Sequence, residues 1–456
     1  MNDGSADGRS SFNLHLHRSS FIVHRSMKAI PKTTNVHATV TAPPSKSYSV
    51  RALLLAAMSN GTTAVSNCLD ADDTRYALEG LRTIGFDVAG SFPSEILIGP
   101  RKSMSANEVP IFVGNAGTAM RFFTGWLAFT PGRFLLSGEE RMHERPIGDL
   151  VEVLLQIGAE VEYVGKEGYP PLRIRGKKMR GGSDVTISAE TSSQFVSALM
   201  LGGATLPDGI TLRIASMASG PYIDITADIL TTFGARVARE GDVINVRAGR
   251  LERPEYRVEG DYSSASYWFA AAAATRGTMR VRGLAVPTAQ GDSGFLDILA
   301  AMGCAVEVSA DEIAVTGPET LRGGTFDCNA TPDIVPTLAA IAPLASEPVE
   351  IVNVANLRVK ESDRLATVTA ELRRLGATVE ERPDSLLIQP GWSDAPVVVE
   401  THNDHRIAMA FAIAGLARGN VTIGKEQVVT KSYPRFWRTL DEVVRSVHPE
   451  RSEGSS

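Results

Sequence analysis

The chain has 456 residues, 43% of them hydrophobic and 21% charged, and a formal net charge of −6; this is ordinary globular material, long enough for two hydrophobic cores, and its acidic balance argues against a nucleic-acid partner held mainly through phosphates. The three cysteines, Cys68, Cys304 and Cys328, form no CxxC pair, which points away from a disulfide framework or a thiolate metal site and towards buried thiols in a reducing compartment. No apolar stretch is long enough to span a bilayer, since the nearest, Trp268 to Ala274, runs straight into Thr275 and Arg276.

Residues 1–26 mix Ser, Arg, His and two Asp residues without a clean apolar core, so a loose extension is expected there, with Met27 as an alternative start and an organelle transit peptide as the other reading. Beyond it the chain repeats. A small or polar start, an Ala-rich helix, a turn and a short β-branched run recur from Ser47, Gly117, Ser192, Ser263, Pro332 and Asp404. Between these copies a second helix ends in Gly, followed three positions on by Val. The glycines, Gly85, Gly158, Gly234, Gly303 and Gly376, are spaced by about 70 to 75 residues and suit the left-handed position after a helix end. Short alternating strands follow them, as in "EILIG", "PLRIRG" and "EIAVTG". About six units of two helices and several strands result, too long a period for a solenoid and better explained by duplicated subdomains.

The Ala-rich helices are apolar nearly all round and should be buried. Their N-terminal ends, each with unpaired N–H groups and a partial positive charge, are natural anion sites, and the chemistry-bearing residues gather there. In chain order these are Lys46, Ser47 and Arg51; Asn115, Gly117, Thr118 and Arg121; Ser192, Ser193 and Gln194; Asp333; His405 and Arg406; and Lys431 beyond. Lys46 and Arg51 could together hold a phosphate; no GxxxxGK[ST] supports a nucleotide loop. Asp72 and Asp73 read as the cap and first turn of a surface helix. Asp333 reads either as a helix cap or as a desolvated base for a hydroxyl. "NLRVKESDRLA", Asn356 to Ala366, reads as helical, with Lys360 and Arg364 on one face and Glu361 about a quarter turn aside. It is either a solvated salt-bridged helix or a carboxylate poised for proton transfer between two substrate-binding cations. His402 and His405 have a metal-compatible spacing but no matching Asp, Glu or Cys cluster, so no metal is expected.

The stretches "PPSKSYSVRALLLAA", "LDADDTRYALEGLRTIG", "GNAGTAMRFF", "GEERMHERPIGDL", "SSQFVSALML", "GPYIDIT", "GDYSSASYWFAAAA", "NLRVKESDR" and "NDHRIAMAFAIAGL" closely resemble the 5-enolpyruvylshikimate-3-phosphate synthases, enolpyruvyl transferases of the shikimate pathway. The resemblance runs in order from about residue 37 to 445. It implies an α/β (α+β) fold, a two-domain inside-out barrel of six βαβαββ-type repeats with buried parallel helices. One domain would comprise residues 27–44 plus 260–445, the other 45–259, with 446–456 as a loose tail and hinges near "TAPPS" and "YRVEGDY".

It further implies transfer of the enolpyruvyl group of phosphoenolpyruvate to the 5-hydroxyl of shikimate 3-phosphate with loss of phosphate, the sixth step towards chorismate and the aromatic amino acids. No metal or organic cofactor would take part, and the enzyme would be a cytoplasmic monomer without nucleic-acid or membrane partners. Shikimate 3-phosphate would be held by Lys46, Ser47, Arg51, Ser192, Ser193, Gln194, Ser219, Tyr222, Asp333, Asn356 and Lys360. Phosphoenolpyruvate would meet Lys46, Gly117, Arg145, Gln194, Arg364, Arg406 and Lys431. Asp333 would be the base, Glu361 with Lys46 the proton donor, and His405 a support. Phe122 stands where many members have Pro, and Gly220 where Lys is common; Gly117 is the small residue associated with glyphosate-sensitive members. The rivals are the UDP-N-acetylglucosamine enolpyruvyl transferases, whose reactive loop Cys has no counterpart here, and a non-catalytic anion-binding protein.

Overall fold

In the computed structural model, which describes residues 26–102, 105–217 and 219–447, twelve α-helices alternate with strands that form six sheets. The helices are α1 (Lys46–Met58), α2 (Asp72–Ile84), α3 (Gly117–Leu127), α4 (Gly148–Gln156), α5 (Ser193–Gly203), α6 (Pro221–Thr232), α7 (Tyr262–Thr275), α8 (Phe295–Ala301), α9 (Val335–Ile341), α10 (Arg364–Arg374), α11 (His405–Arg418) and α12 (Phe436–Val447). Apart from Ser26, the expected extension lies outside the described residues, as does the tail beyond Val447. Ser446 and Val447 are not tail: they complete α12.

The odd-numbered helices are the Ala-rich ones. Every residue of α7 is buried, and α11 is buried from His405 through Leu416, because small side chains on all faces let neighbouring helices close in on every side. The even-numbered helices include amphipathic ones, such as α12, which buries Phe436, Leu440 and Val443 along one stripe. Gly85, Gly158, Gly234, Gly303 and Gly376 take φ of 104°, 88°, 99°, 99° and 84°, the left-handed conformation that would cost another residue about 1–2 kcal/mol.

Five sheets have four strands; the sixth, built from Val397–Val399, Val421–Gly424 and Met27–Ile30, has three. Each contains a parallel pair around a buried helix and closes with antiparallel pairing. Two hydrophobic cores result. One gathers residues between Tyr48 and Val258, the other Ile30 to Ala42 together with Tyr262 to Val443.

The chain changes sides twice. His37–Thr41 pairs in parallel with Thr278–Arg282 in the second core's sheets, whereas Glu255–Arg257 returns to pair with Thr63–Ser66 in the first. The two crossings touch: the Ser45 N–H donates to the Glu259 carbonyl at 2.7 Å, and the Asp261 N–H to the Pro43 carbonyl at 2.8 Å. Asp261 then caps two helices, accepting the Ser264 N–H of α7 at 2.6 Å and the Lys46 N–H of α1 at 3.0 Å. One carboxylate thus ties the starts of α7 and α1 together at the junction of the two halves.

Candidate active site

The helix starts converge on a cavity with about 540 Å³ of empty space, lined from one side by Lys46, Ser47, Arg51, Gly117, Arg145, Ser193 and Gln194 and from the other by Asp333, Lys360 and Glu361. A larger depression, with about 1890 Å³ of empty space, lies along residues 37–44 and α12 and contains none of the expected site residues. Volume alone does not locate the chemistry; the convergence of charged groups does.

On the wall of the first core, buried guanidinium groups meet neutral oxygens. Arg51, 1% exposed, donates to Thr226 Oγ1 at 2.8 Å, the Ser47 carbonyl at 2.9 Å and the Tyr222 carbonyl at 3.0 Å, and its Cζ sits 4.8 Å from the centre of the Phe122 ring. Phe122 therefore serves as a cation–π platform. Burial pushes the Arg51 pKa down to about 10. Arg121 donates to the Gly117 and Pro146 carbonyls at 3.3 and 2.7 Å; burial, reinforced by neighbouring Arg145, holds its pKa well below the usual range. Arg145 donates to Asn115 O and Oδ1 at 3.1 and 3.2 Å and lies so close to Gly117 that a Cβ there would come within 2.5 Å of its Nη2. Gly220 precedes Pro221 at the start of α6 in right-handed helical conformation.

On the opposite wall, guanidinium groups meet carboxylates. Arg364 donates at 2.8 Å to each of Asp404, Asp333 and Glu361. Arg406 and the Tyr222 hydroxyl both donate to Asp333 Oδ2, at 2.6 and 2.8 Å. Burial alone would raise the Asp333 pKa, but Arg406, Arg364, Lys360 and Lys46 overcome it and hold the carboxyl below its ordinary range. Glu361 is also buried and is likewise held well below, by Arg364, Arg145, Lys431 and Lys46. Asp333 caps no helix; it lies in the 3-10 turn Pro332–Ile334, which starts after Thr331 and leads into α9, whose own N-cap is Ile334.

Two sequence readings are corrected. The stretch Asn356 to Ala366 is not one helix. A 3-10 turn covers Ala355–Val359, the chain then leaves helical geometry, and α10 begins only at Arg364 because Asp363 caps it, accepting the Ala366 N–H at 3.1 Å. Lys360 and Arg364 therefore share no helical face, and Glu361 swings round to pair with Arg364. Asp73 is not a surface residue. It is 2% exposed and is bridged by Lys46 at 3.3 Å and Lys431 at 2.8 Å, while Thr430 donates to Asp72 at 2.7 Å. The Lys431–Asp73 and Thr430–Asp72 contacts join the two halves across 358 positions of sequence.

Of the other expected residues, Ser219 and Asn356 bond to each other at 2.7 Å, with Ser219 held at φ 57° and its N–H on Asn329 Oδ1. Ser192 caps α5 through the Gln194 N–H. Burial pushes the Lys360 pKa down to about 8 despite Asp333. His405 is fully buried, its Nδ1 3.7 Å from Asp404 and beyond hydrogen-bonding distance; burial, with Lys46 and Arg406 nearby, holds it neutral. His402 instead bonds Glu371 at 3.2 Å, so the two histidines do not converge. Sequence reasoning missed Asp73, Asp404 and Asp292. Asp292 is buried, accepts the Ser263 hydroxyl, and is pushed up to about 7 by burial and by Asp333. The three cysteines are buried, their thiols pushed up to about 12 by burial, and none lines the cavity.

Residues 30–440 match the family model of EPSP synthase (3-phosphoshikimate 1-carboxyvinyltransferase). A 3-phosphoshikimate 1-carboxyvinyltransferase of Methanoculleus marisnigri is 42% identical over 416 residues, covering 90% of this chain and 98% of that protein. One from Cupriavidus taiwanensis is 41% identical over 426 residues, with 90% and 98% covered. Among solved structures, EPSP synthase from Acinetobacter baumannii superposes with a TM-score of 0.77 at 26% identity, over 92% of this chain and 98% of that one. The enolpyruvyl transferase NikO from Streptomyces tendae shares the fold at a TM-score of 0.72 and 17% identity, over 92% and 97%.

Proposed function

The chain belongs to the EPSP synthase family, the 3-phosphoshikimate 1-carboxyvinyltransferases, and we propose that it transfers the enolpyruvyl group of phosphoenolpyruvate to the 5-hydroxyl of shikimate 3-phosphate, releasing phosphate, with the residues gathered in its cleft. Supporting this is the division of charge between the two walls, cations with neutral partners facing cations locked to carboxylates. Both substrates carry a phosphate and a carboxylate. Arg51, with Lys46, Ser47 and Lys360, suits shikimate 3-phosphate; Arg145, Arg364, Arg406 and Lys431 suit phosphoenolpyruvate.

Asp333 takes the proton of the 5-hydroxyl as its oxygen bonds to the enol C2, while Glu361, with Lys46, delivers a proton to C3. Loss of a C3 proton and departure of phosphate with the C2–O electron pair then give the product. In the closed cleft both carboxyls are held so firmly ionised by cations that Asp333 is a weak base and Glu361 carries no proton to give. Incoming anions compete for those cations, which raises both carboxyls towards working range. The cleft excludes water and keeps preorganised positive charge around the tetrahedral intermediate.

The same reading makes the enzyme a cytoplasmic monomer. It divides the chain into one domain of residues 27–44 with 260–445 and another of 45–259, moving about the paired crossings. Among the described residues no helix is long and apolar enough to cross a membrane. Phosphate release from phosphoenolpyruvate is the test: it is expected only when shikimate 3-phosphate is present. Release without the acceptor, or none with it, refutes the proposal. Asp333→Asn should still bind shikimate 3-phosphate yet lose about 10²- to 10⁴-fold in kcat.

A further inference from the structure

Arg141 lies in the 3-10 turn Glu140–Glu144 on the wall of the first core. Its Nε donates to the Glu361 carbonyl and its Nη2 to the Lys360 carbonyl, each at 3.2 Å. These carbonyls belong to no helix, since the preceding 3-10 turn ends at Val359 and α10 starts at Arg364. Nη1 meets Glu144 at 2.7 Å, but with Arg141 34% and Glu144 58% exposed that ion pair contributes little. What Arg141 contributes is the planar fork. Two donors fixed in one plane, taking two successive carbonyls, hold the peptide between them in one orientation.

That peptide is where the opposite wall presents its acid. With its carbonyls held by Arg141, the loop offers the Lys360 and Glu361 side chains to the cavity they line, where Glu361 meets Arg364. The turn carrying Arg141 also runs directly into Arg145, whose guanidinium covers Gly117. One short turn therefore leads to the cation over Gly117 and orients the backbone behind Glu361, which the other half contributes.

We propose that Arg141 is a positioning residue that makes the working placement of Glu361 and Lys360 depend on closure: the fork engages only when the two halves meet. The role rests on the reading of Glu361 as proton donor. When proton transfer to C3 limits turnover, kcat falls in heavy water, so the ratio of kcat in light water to kcat in heavy water reports that step. In the full-length protein, Arg141→Met should lower kcat by about 10- to 100-fold and raise the solvent isotope ratio, while leaving the melting temperature and the shikimate 3-phosphate dissociation constant near wild type. Arg141→Lys should recover part of the rate, and Glu144→Gln, which spares the fork, should match wild type. An Arg141→Met enzyme with wild-type kcat, or one losing rate and melting temperature together at an unchanged solvent isotope ratio, overturns this role alone. A wild-type protein that releases no phosphate overturns the function and this role together.

Discussion

On the wall built by residues 45–259, Arg51 and Arg121 are buried among hydroxyls and carbonyls, whereas across the cleft Arg364 is buried against three carboxylates and Arg406 against a fourth contact to one of them. The same side chain at the same depth thus has opposite electrostatic standing. Lys46 on the first wall is bridged by Asp73, but Arg51 and Arg121 hold positive charge with no carboxylate bonded to it, so they suit recognition of an outside anion. The second is neutralised from within, and its carboxylates become free to act only as substrate anions draw the cations away.

Substituting one arginine on each wall tests the contrast most directly. Arg364→Met leaves Asp404, Glu361 and Asp333 buried without their shared cation and should destabilise the protein by about 3–5 kcal/mol, read as a lower urea midpoint for the half built on residues 262–443, with turnover lost. Arg51→Met removes a charge that burial already disfavours, so its stability should equal or exceed wild type. Its affinity for shikimate 3-phosphate should nevertheless fall by roughly 10- to 100-fold, the equivalent of about 1.5–3 kcal/mol for a hydrogen bond to a charged group. Equal losses of stability in the two variants would erase the distinction.

How far the sequence foretold these walls follows from where each signal lies. The glycines after the even-numbered helices and the all-round apolar helices are local patterns, and they appear where their chemistry puts them. Lys46, Arg51 and Asp333 stand at helix starts, where an unusual residue is conspicuous. Asp73 has the same local signature as any acidic first turn; its burial comes from Lys431, 358 positions away. The break at Lys360 was hidden because Lys360, Glu361 and Arg364 also fit a charged helix, and only the Asp363 cap reveals that α10 starts late. The pairing of His37–Thr41 with Thr278–Arg282 has no local signal at all.

Asp292 sharpens the comparison within the second wall. On the same wall Asp333 and Glu361 are held below the ordinary range, so their stabilising contribution is present above the unfolded pKa of about 4 and is lost as the pH falls through the folded values. Asp292 is raised to about 7, so the sign reverses. Between pH 4 and 7 the folded protein keeps a proton that the unfolded chain has lost, and stability present below that window declines as the pH rises through it. Asp292→Asn stays neutral and should gain on wild type in melting temperature on going from pH 5 to pH 8. Parallel melting curves across that range would show that Asp292 is already ionised in the folded state.

The smallest change with a definite outcome returns to the first wall, at Gly117. A methyl there would stand 2.5 to 2.7 Å from Arg145 Nη2, Cζ and Nη1, too close to persist, yet the obstructing atoms are the tip of a flexible side chain. Arg145 should therefore swing away, giving up its contacts to Asn115, while the backbone of α3 stays in place. The atoms nearest that methyl all belong to Arg145, none to Arg51 or its Phe122 platform. Gly117→Ala should then raise KM for phosphoenolpyruvate by about 10-fold, as expected for a displaced substrate clamp, with shikimate 3-phosphate affinity and melting temperature unchanged. Glyphosate inhibition, expected at micromolar concentration in the wild type, should weaken by more than that KM rises. If shikimate 3-phosphate affinity falls equally, the two anion positions on this wall are not separable, and the wall acts as one undivided positive surface.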